Sequence, residues 1–145
     1  MKRFLTLVFA GLMVTGLAFA LPYSKVPAVP KVLANGTFVY VRAYDGDQFS
    51  PYLLPADRQA ISSVQSALQK WGHYTLVYRP QDADVILAVQ SRGNEDVLAA
   101  YDARMPDAYL WRVSGENGLQ KGETPLVTAF ETAVDQANAQ AKAKK

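Results

Sequence analysis

Two carboxylates separated by a single glycine are the first residues in this chain whose spacing suggests chemistry. Asp45 and Asp47 flank Gly46 at the end of a strand-like stretch. They would supply two oxygen ligands to a divalent cation, whereas calcium takes about six to eight, drawn from several alternating positions. In a simple turn, glycine would take a positive φ and the aspartates would accept bonds from nearby backbone N–H groups. The spacing favours the turn, and cation binding by Asp45 and Asp47 stays open as the alternative.

Other acid pairs could serve as the general acid and base of a hydrolase that acts on envelope polymers. Asp82/Asp84 and Glu95/Asp96 each flank a predicted turn, where carboxylates remain solvated and their pKa values are not driven apart. The lone histidine, His73, follows a predicted helix end, and the chain has no cysteine. A histidine-rich or thiolate metal site and a catalytic triad are therefore not indicated. We predict no catalytic residues, no cofactor and a protein that is not an enzyme.

The amino-terminal residues have the features of a cleavable signal peptide. Lys2 and Arg3 precede a mostly apolar run that ends in the small-x-small pattern Ala18-Phe19-Ala20. We therefore expect residues 1–20 to be removed, with delivery to the periplasm or the exterior and no stable membrane insertion afterwards. Without Lys2 and Arg3 the remaining chain has equal numbers of basic and acidic residues. This balance argues against a nucleic-acid partner, which would require a basic patch.

The rest of the chain is predicted to be one small domain. Prolines at 22, 27 and 30 indicate an extended leader over residues 21–35. Residues 36–140 would form the domain, and residues 141–145 a basic disordered tail. Alternating stretches predict strands, and an apolar stripe at Ile61, Val64, Leu68 and Trp71 predicts a helix that ends at Gly72. A second helix should begin at Thr124-Pro125.

These elements occur in the order β-α-β-β-β-β-α, which predicts an α+β fold. Each helix has a single apolar stripe, so each should cover one face of the sheet. The expected architecture is a two-layer sandwich with about five mostly antiparallel strands and two helices on one face.

Four stretches resemble a domain-of-unknown-function family of small bacterial envelope proteins, which are often lipoproteins. They are "TFVYVRAYD", "ADVILAVQ", "VLAAYDARMPDAYLWRV" and "PLVTAFETAV". The family features fall on Ala83-Asp84, Asp102 and Leu110-Trp111-Arg112. The architecture is also similar to the amino-terminal domain of TolB. The resemblance implies an envelope location and brings no catalytic residues, and this chain lacks the acylated cysteine of the lipoprotein members.

The second face of the sheet is the predicted functional surface. If Val39, Val41, Val77 and Leu110 face the helices, an aromatic set lies opposite, with Arg42 among it: Tyr40, Tyr44, Tyr74, Tyr78, Tyr109 and Trp111. Such rings bury large area while keeping a polar tip for hydrogen bonding. The predicted function is a non-catalytic binding or assembly module whose partner is an envelope protein, a glycan or a second copy of the chain. The alternatives are, in this order, cation binding by Asp45 and Asp47 and hydrolysis of an envelope polymer.

Overall fold

The computed structural model describes residues 26–145. The predicted signal peptide, residues 1–20, and residues 21–25 of the predicted leader lie outside the described residues. Within residues 26–145 the chain forms three α-helices, five strands and one 3-10 turn at Pro80–Asp82. The helices are α1 (Lys31–Ala34), α2 (Pro55–Trp71) and α3 (Pro125–Ala143), and the strands are β1 (Phe38–Ala43), β2 (Thr75–Val77), β3 (Val85–Arg92), β4 (Glu95–Asp102) and β5 (Trp111–Glu116). The α+β class and the order of the longer elements are those predicted.

The five strands lie side by side in the order β2-β1-β3-β4-β5. Strand β1 is parallel to both of its neighbours, β2 and β3, whereas β3, β4 and β5 pair antiparallel. The sheet is therefore mixed, with two parallel and two antiparallel pairings where the sequence predicts mostly antiparallel ones. The cause is topological: α2 returns the chain to the start of the sheet, so β2 runs beside β1 in the same direction.

Both long helices begin where the sequence indicates, and α2 also ends there. Pro55 is at the start of α2, and at its end Gly72 has φ 78° and donates its N–H to the Leu68 carbonyl at 2.9 Å. This left-handed conformation favours glycine. Helix α3 continues to Ala143, so most of the predicted disordered tail is helical. Most residues of the apolar stripes are buried, namely Ile61, Val64, Leu68, Leu126, Phe130, Ala133 and Val134, and the helices also bury Asp57, Ala60, Ser63 and Val127.

The predicted extended leader is part of the domain from residue 26 onwards. It contains α1, and its residues Val29 and Leu33 are buried. The Tyr74 hydroxyl donates to the Leu33 carbonyl at 2.6 Å, and the Trp111 indole N–H donates to the Pro27 carbonyl at 2.8 Å. The prediction of a tether is therefore wrong for residues 26–35, because the apolar residues between the prolines pack against the core.

The main core lies between the sheet and the helices. It joins alternate residues of the strands to α1, α2 and α3. Its centre is aromatic: the Phe130 ring lies 5.1 Å from the Trp111 ring and 6.1 Å from the Tyr74 ring. None of the helices within residues 26–145 is long and apolar enough to span a bilayer.

Candidate functional site

The face of the sheet opposite the helices is the candidate site, and we call it the uncovered face. In the described residues no helix contributes to the side-chain cluster on this face. The strand registers place the following residues there: Phe38, Tyr40, Arg42, Thr75, Val77, Ile86, Ala88, Gln90, Glu95, Val97, Ala99, Tyr101, Arg112, Ser114 and Glu116. Leu110 directly precedes β5, and its side chain is about two-fifths exposed.

Two predicted members of the aromatic face lie on the helix side instead. Trp111 is 1% exposed and Tyr74 is 4% exposed, and both pack in the main core. Strand β5 therefore has the opposite phase from the one predicted, with Leu110 and Arg112 outward. Strand β2 is reversed in the same way, since Leu76 packs against the core and Val77 against the uncovered face.

The other predicted residues divide into two groups. Tyr40 and Arg42 lie on β1, and Tyr44 follows the strand, with its N–H bonded to the Val89 carbonyl at 3.0 Å. Tyr78 and Tyr109 are both more than half exposed, but they lie just outside β2 and β5. The structure therefore brings together Tyr40, Arg42 and Tyr44, and it leaves Tyr78 and Tyr109 at the margins of the sheet.

The centre of the uncovered face is buried although no helix from the described chain lies over it. Ala88 and Ala99 have no exposed area, and Tyr40, Ile86 and Tyr101 are each less than a tenth exposed. Because alanine side chains rise little above the sheet, longer neighbours must lie over them to exclude water. The uncovered face thus has a small core of its own, made by its own side chains.

A row across the strands places an arginine at each end of this small core. Arg42 is paired with Ala88, Ala88 with Ala99, and Ala99 with Arg112. Three strand spacings separate the Cα atoms of the two arginines by roughly 14 Å. Neither arginine forms an ion pair within residues 26–145. The Nε atom of Arg42 is also buried with no hydrogen-bond partner in that part of the chain.

The arginines of this row influence the pKa values of tyrosine hydroxyls on the uncovered face. The pKa of Tyr101 is raised to about 12, first by burial and then by the neighbouring Tyr44, whereas Arg42 and Arg112 oppose this rise. Burial also raises the pKa of Tyr40, with Asp47 adding to the effect and Arg42 opposing it. Tyr44, Arg42 and Arg112 are therefore all near enough to Tyr101 to influence its hydroxyl. Such a group of donors suits an anionic group.

The two ends of the uncovered face differ in character. At one end Phe38 and Leu110 are about two-fifths exposed and present apolar surface. At the other end Glu95 and Glu116 are directly paired across β4 and β5, so two negative charges face each other. The face therefore changes from apolar through cationic to acidic along the strands.

The Asp45-Gly46-Asp47 stretch forms the turn that the sequence favours. Gly46 has φ 152°, and Asp47 accepts the N–H of Phe49 at 2.9 Å. Asp45 does not turn toward Asp47, because its carboxylate pairs with the Arg92 guanidinium. Nowhere in residues 26–145 do three or more His, Cys, Asp or Glu side chains gather as metal ligands would.

The remaining acidic residues have structural partners. Asp82 pairs with Arg79 at 2.7 Å. Asp84 accepts the N–H groups of Thr37 and Phe38 at 2.9 and 3.0 Å, which holds the pKa of its carboxyl below the usual value. For the pair Glu95/Asp96 the sequence predicts two solvated carboxylates. Glu95 is exposed as predicted, whereas Asp96 is buried and accepts the Leu119 N–H at 2.8 Å.

A buried ion pair that the sequence did not reveal ties α2 to the end of β3. Asp57 is fully buried, and it accepts the Ser91 N–H at 2.9 Å and the Arg92 guanidinium at 2.7 Å. Asp57 and Arg92 are 35 residues apart in the sequence, so local spacing gives no signal. The sequence analysis also did not select Tyr101 and Arg112 for the site, although both lie in stretches whose register the hairpin fixes.

Comparisons with known proteins add little. No family model matches the chain, and no curated protein matches it. Among solved structures it is similar to a PelC dodecamer from Paraburkholderia phytofirmans, with 17% sequence identity and a TM-score of 0.40. The similarity covers 77% of this chain and 87% of that one. At this level it carries no argument about function or assembly.

Proposed function

We propose that this protein is a non-catalytic binding module that engages an anionic partner through the uncovered face of its sheet. The residues that carry the contact are Arg42 and Arg112, together with Tyr44 and Tyr101. The proposed setting is the bacterial envelope, to which the signal-like residues 1–20 and the resemblance in the sequence point.

One observation carries this proposal: Arg42 is a cation on an open surface whose Nε lies buried without an acceptor among residues 26–145. An unsatisfied buried donor destabilises the fold by about 1–3 kcal/mol. An acidic group of a partner that pairs with the terminal guanidinium nitrogens of Arg42 would offset that penalty. Arg112, at the other end of the same row, supplies a second unpaired cation.

The test is hydroxyl-radical footprinting of the chain in its native envelope and after purification, because it does not require the partner to be known. We expect Phe38, Tyr44 and Leu110 to be protected in the envelope. Phe49 and Tyr52, which are 71% and 92% exposed on a loop, provide the internal control and should react equally in both samples.

A double variant, Arg42→Met with Arg112→Met, should lose the protection and keep the reactivity of Phe49 and Tyr52. Equal labelling of the uncovered face in both settings would contradict the proposal. So would protection that is unchanged in the double variant.

A further inference from the structure

The acidic residues of the described chain leave Arg42 and Arg112 uncompensated. Asp45 and Asp57 are both held by Arg92. Asp102 accepts the Arg104 guanidinium at 3.1 Å. Asp47 is close enough to influence Tyr40, but its Oδ1 accepts a backbone N–H and it forms no ion pair with Arg42. No carboxylate among residues 26–145 pairs with either arginine, so both guanidinium groups are open to an acidic group of another molecule.

The shape of the uncovered face favours an extended ligand over a small one. Its floor is an open sheet in which alanines occupy the middle of the arginine row and are already covered by neighbouring side chains. The Cα atoms of the two arginines are roughly 14 Å apart, so the arginines would contact either two acidic groups or one acidic group that both side chains approach. A chain with repeated acidic groups is extended and can offer one acidic group to each arginine.

The charge gradient along the strands sets the direction of such a chain. Glu95 and Glu116 would repel an acidic polymer that ran along the strands toward them. A polymer that crosses the strands along the arginine row avoids both glutamates. Its other side would then rest on the exposed apolar rim formed by Phe38 and Leu110.

We propose that the ligand is an acidic glycan, a polysaccharide that bears carboxylates and crosses the strands between Arg42 and Arg112. The guanidinium fork matches a carboxylate with two parallel N–H···O bonds. The rings of Tyr44 and Phe38 and the side chain of Leu110 suit the apolar C–H faces of sugar rings, and the phenol hydroxyls suit sugar hydroxyls. This inference rests on the proposed function and specifies its ligand.

The test is calorimetric titration of the full exported chain with three probes. They are hexagalacturonate, the same oligomer with its carboxylates methyl-esterified, and hexaglutamate. We expect hexagalacturonate to bind, the neutral ester to bind at least about tenfold more weakly, and hexaglutamate to be weaker than hexagalacturonate, because it has no sugar rings for the apolar rim.

Arg42→Met and Arg112→Met should each weaken hexagalacturonate binding by about tenfold, the loss expected for one charge-assisted contact. Lys121→Met is the matched control, since it removes one exposed cation from the loop before α3 and should leave binding unchanged. Arg42→Met does not remove any hydrogen bond made within residues 26–145, so a folded variant is expected, and thermal unfolding checks this.

Three results would overturn the acidic-glycan assignment. They are equal binding of the esterified oligomer, hexaglutamate binding as tight as that of hexagalacturonate, and no binding of any probe. Equal hexaglutamate binding that still required both arginines would keep the uncovered face as a binding surface and replace only the ligand. The proposed function itself is tested separately, by the hydroxyl-radical footprint in the envelope, which does not depend on the identity of the ligand.

Discussion

The two faces of the sheet bury their centres by different means. The covered face is sealed by three helices in the described chain and has an all-apolar centre with Trp111 and Phe130. The uncovered face is sealed by its own side chains, among them tyrosines and arginines whose polar ends stay near the surface. The first arrangement stabilises the fold, and under the proposed function the second would present charge and hydroxyl groups to a partner. Substitutions on the two faces can therefore test stability and the proposed binding separately.

The largest effect should come from adjacent residues on opposite faces. Trp111→Ala removes a side chain that is 1% exposed and should lower the free energy of unfolding by about 3–5 kcal/mol. Arg112→Ala, one position later on the exposed side, should change it by less than about 0.5 kcal/mol. Urea denaturation of both variants measures the contrast.

The same pair has an optical test. With Trp71→Phe as background, the fluorescence of Trp111 should resist quenching by acrylamide. Strong quenching, or equal destabilisation by the two alanine variants, would mean that the phase of β5 is the reverse of the one described.

A smaller contrast is expected within β3, where adjacent residues point to opposite faces. Leu87→Ala should cost about 3 kcal/mol or more, because helices and strands enclose it. Ile86→Ala should cost less, about 2 kcal/mol, since neighbours on an open face can close over the gap. Thermal and urea unfolding of the two variants measure the order. Equal losses would show that the small core of the uncovered face is as tightly enclosed as the main one.

The loss of stability at acid pH should depend on two carboxylates, Asp84 just before β3 and Asp102 at the end of β4. Backbone N–H groups lower the pKa of Asp84, and the Arg104 side chain and N–H lower that of Asp102. Because both folded pKa values are depressed, their contribution is present above the unfolded pKa of about 3.9 and is lost as the pH falls below it. Asp84→Asn and Asp102→Asn should therefore reduce stability at neutral pH and flatten its decline between about pH 5 and 2. Urea midpoints across that range test this, and an unchanged decline in both variants would contradict it.

For Arg42→Met only a small change in stability is expected, and its sign is the informative part. The variant keeps an apolar stem of similar length and removes the unpartnered Nε donor. The free energy of unfolding should be unchanged or rise by up to about 1 kcal/mol. A loss of more than about 1 kcal/mol would show that Arg42 serves the fold, and Arg112→Met provides the exposed comparison.

Parts of the fold followed from local sequence because local forces decide them. The valines of β1 alternate with larger residues and fix its two faces, and the α2 stripe and Gly72 fix that helix. The edge strands β2 and β5 were assigned in reverse because apolar or aromatic residues occur on both sides of each, as at Leu110 and Trp111. The parallel pairing of β1 depends on which strands become neighbours, and alternation alone does not contain that information.

Only part of the site could be predicted, again because the alternation of side chains is clear in β1 and ambiguous in other strands. Arg42, Tyr40 and Tyr44 follow from the clear phase of β1. Tyr101 lies in a stretch that is apolar on both faces, so alternation does not show which way its side chain points. Arg112 directly follows Trp111, and because the sequence predicts Trp111 on the aromatic face, it predicts Arg112 on the helix side. The absence of an ion pair at Arg42 within residues 26–145 is a property of the assembled sheet.

The most direct measurement is a spectrum of the arginine Nε–H groups in the ¹⁵N-labelled chain of residues 21–145, recorded by NMR during titration with hexagalacturonate. The signals of Arg42 and Arg112 should shift together and saturate, while those of Arg79 and Arg104, which are already paired with Asp82 and Asp102, stay in place. Stationary Arg42 and Arg112 signals, or equal shifts of all four, would contradict the account.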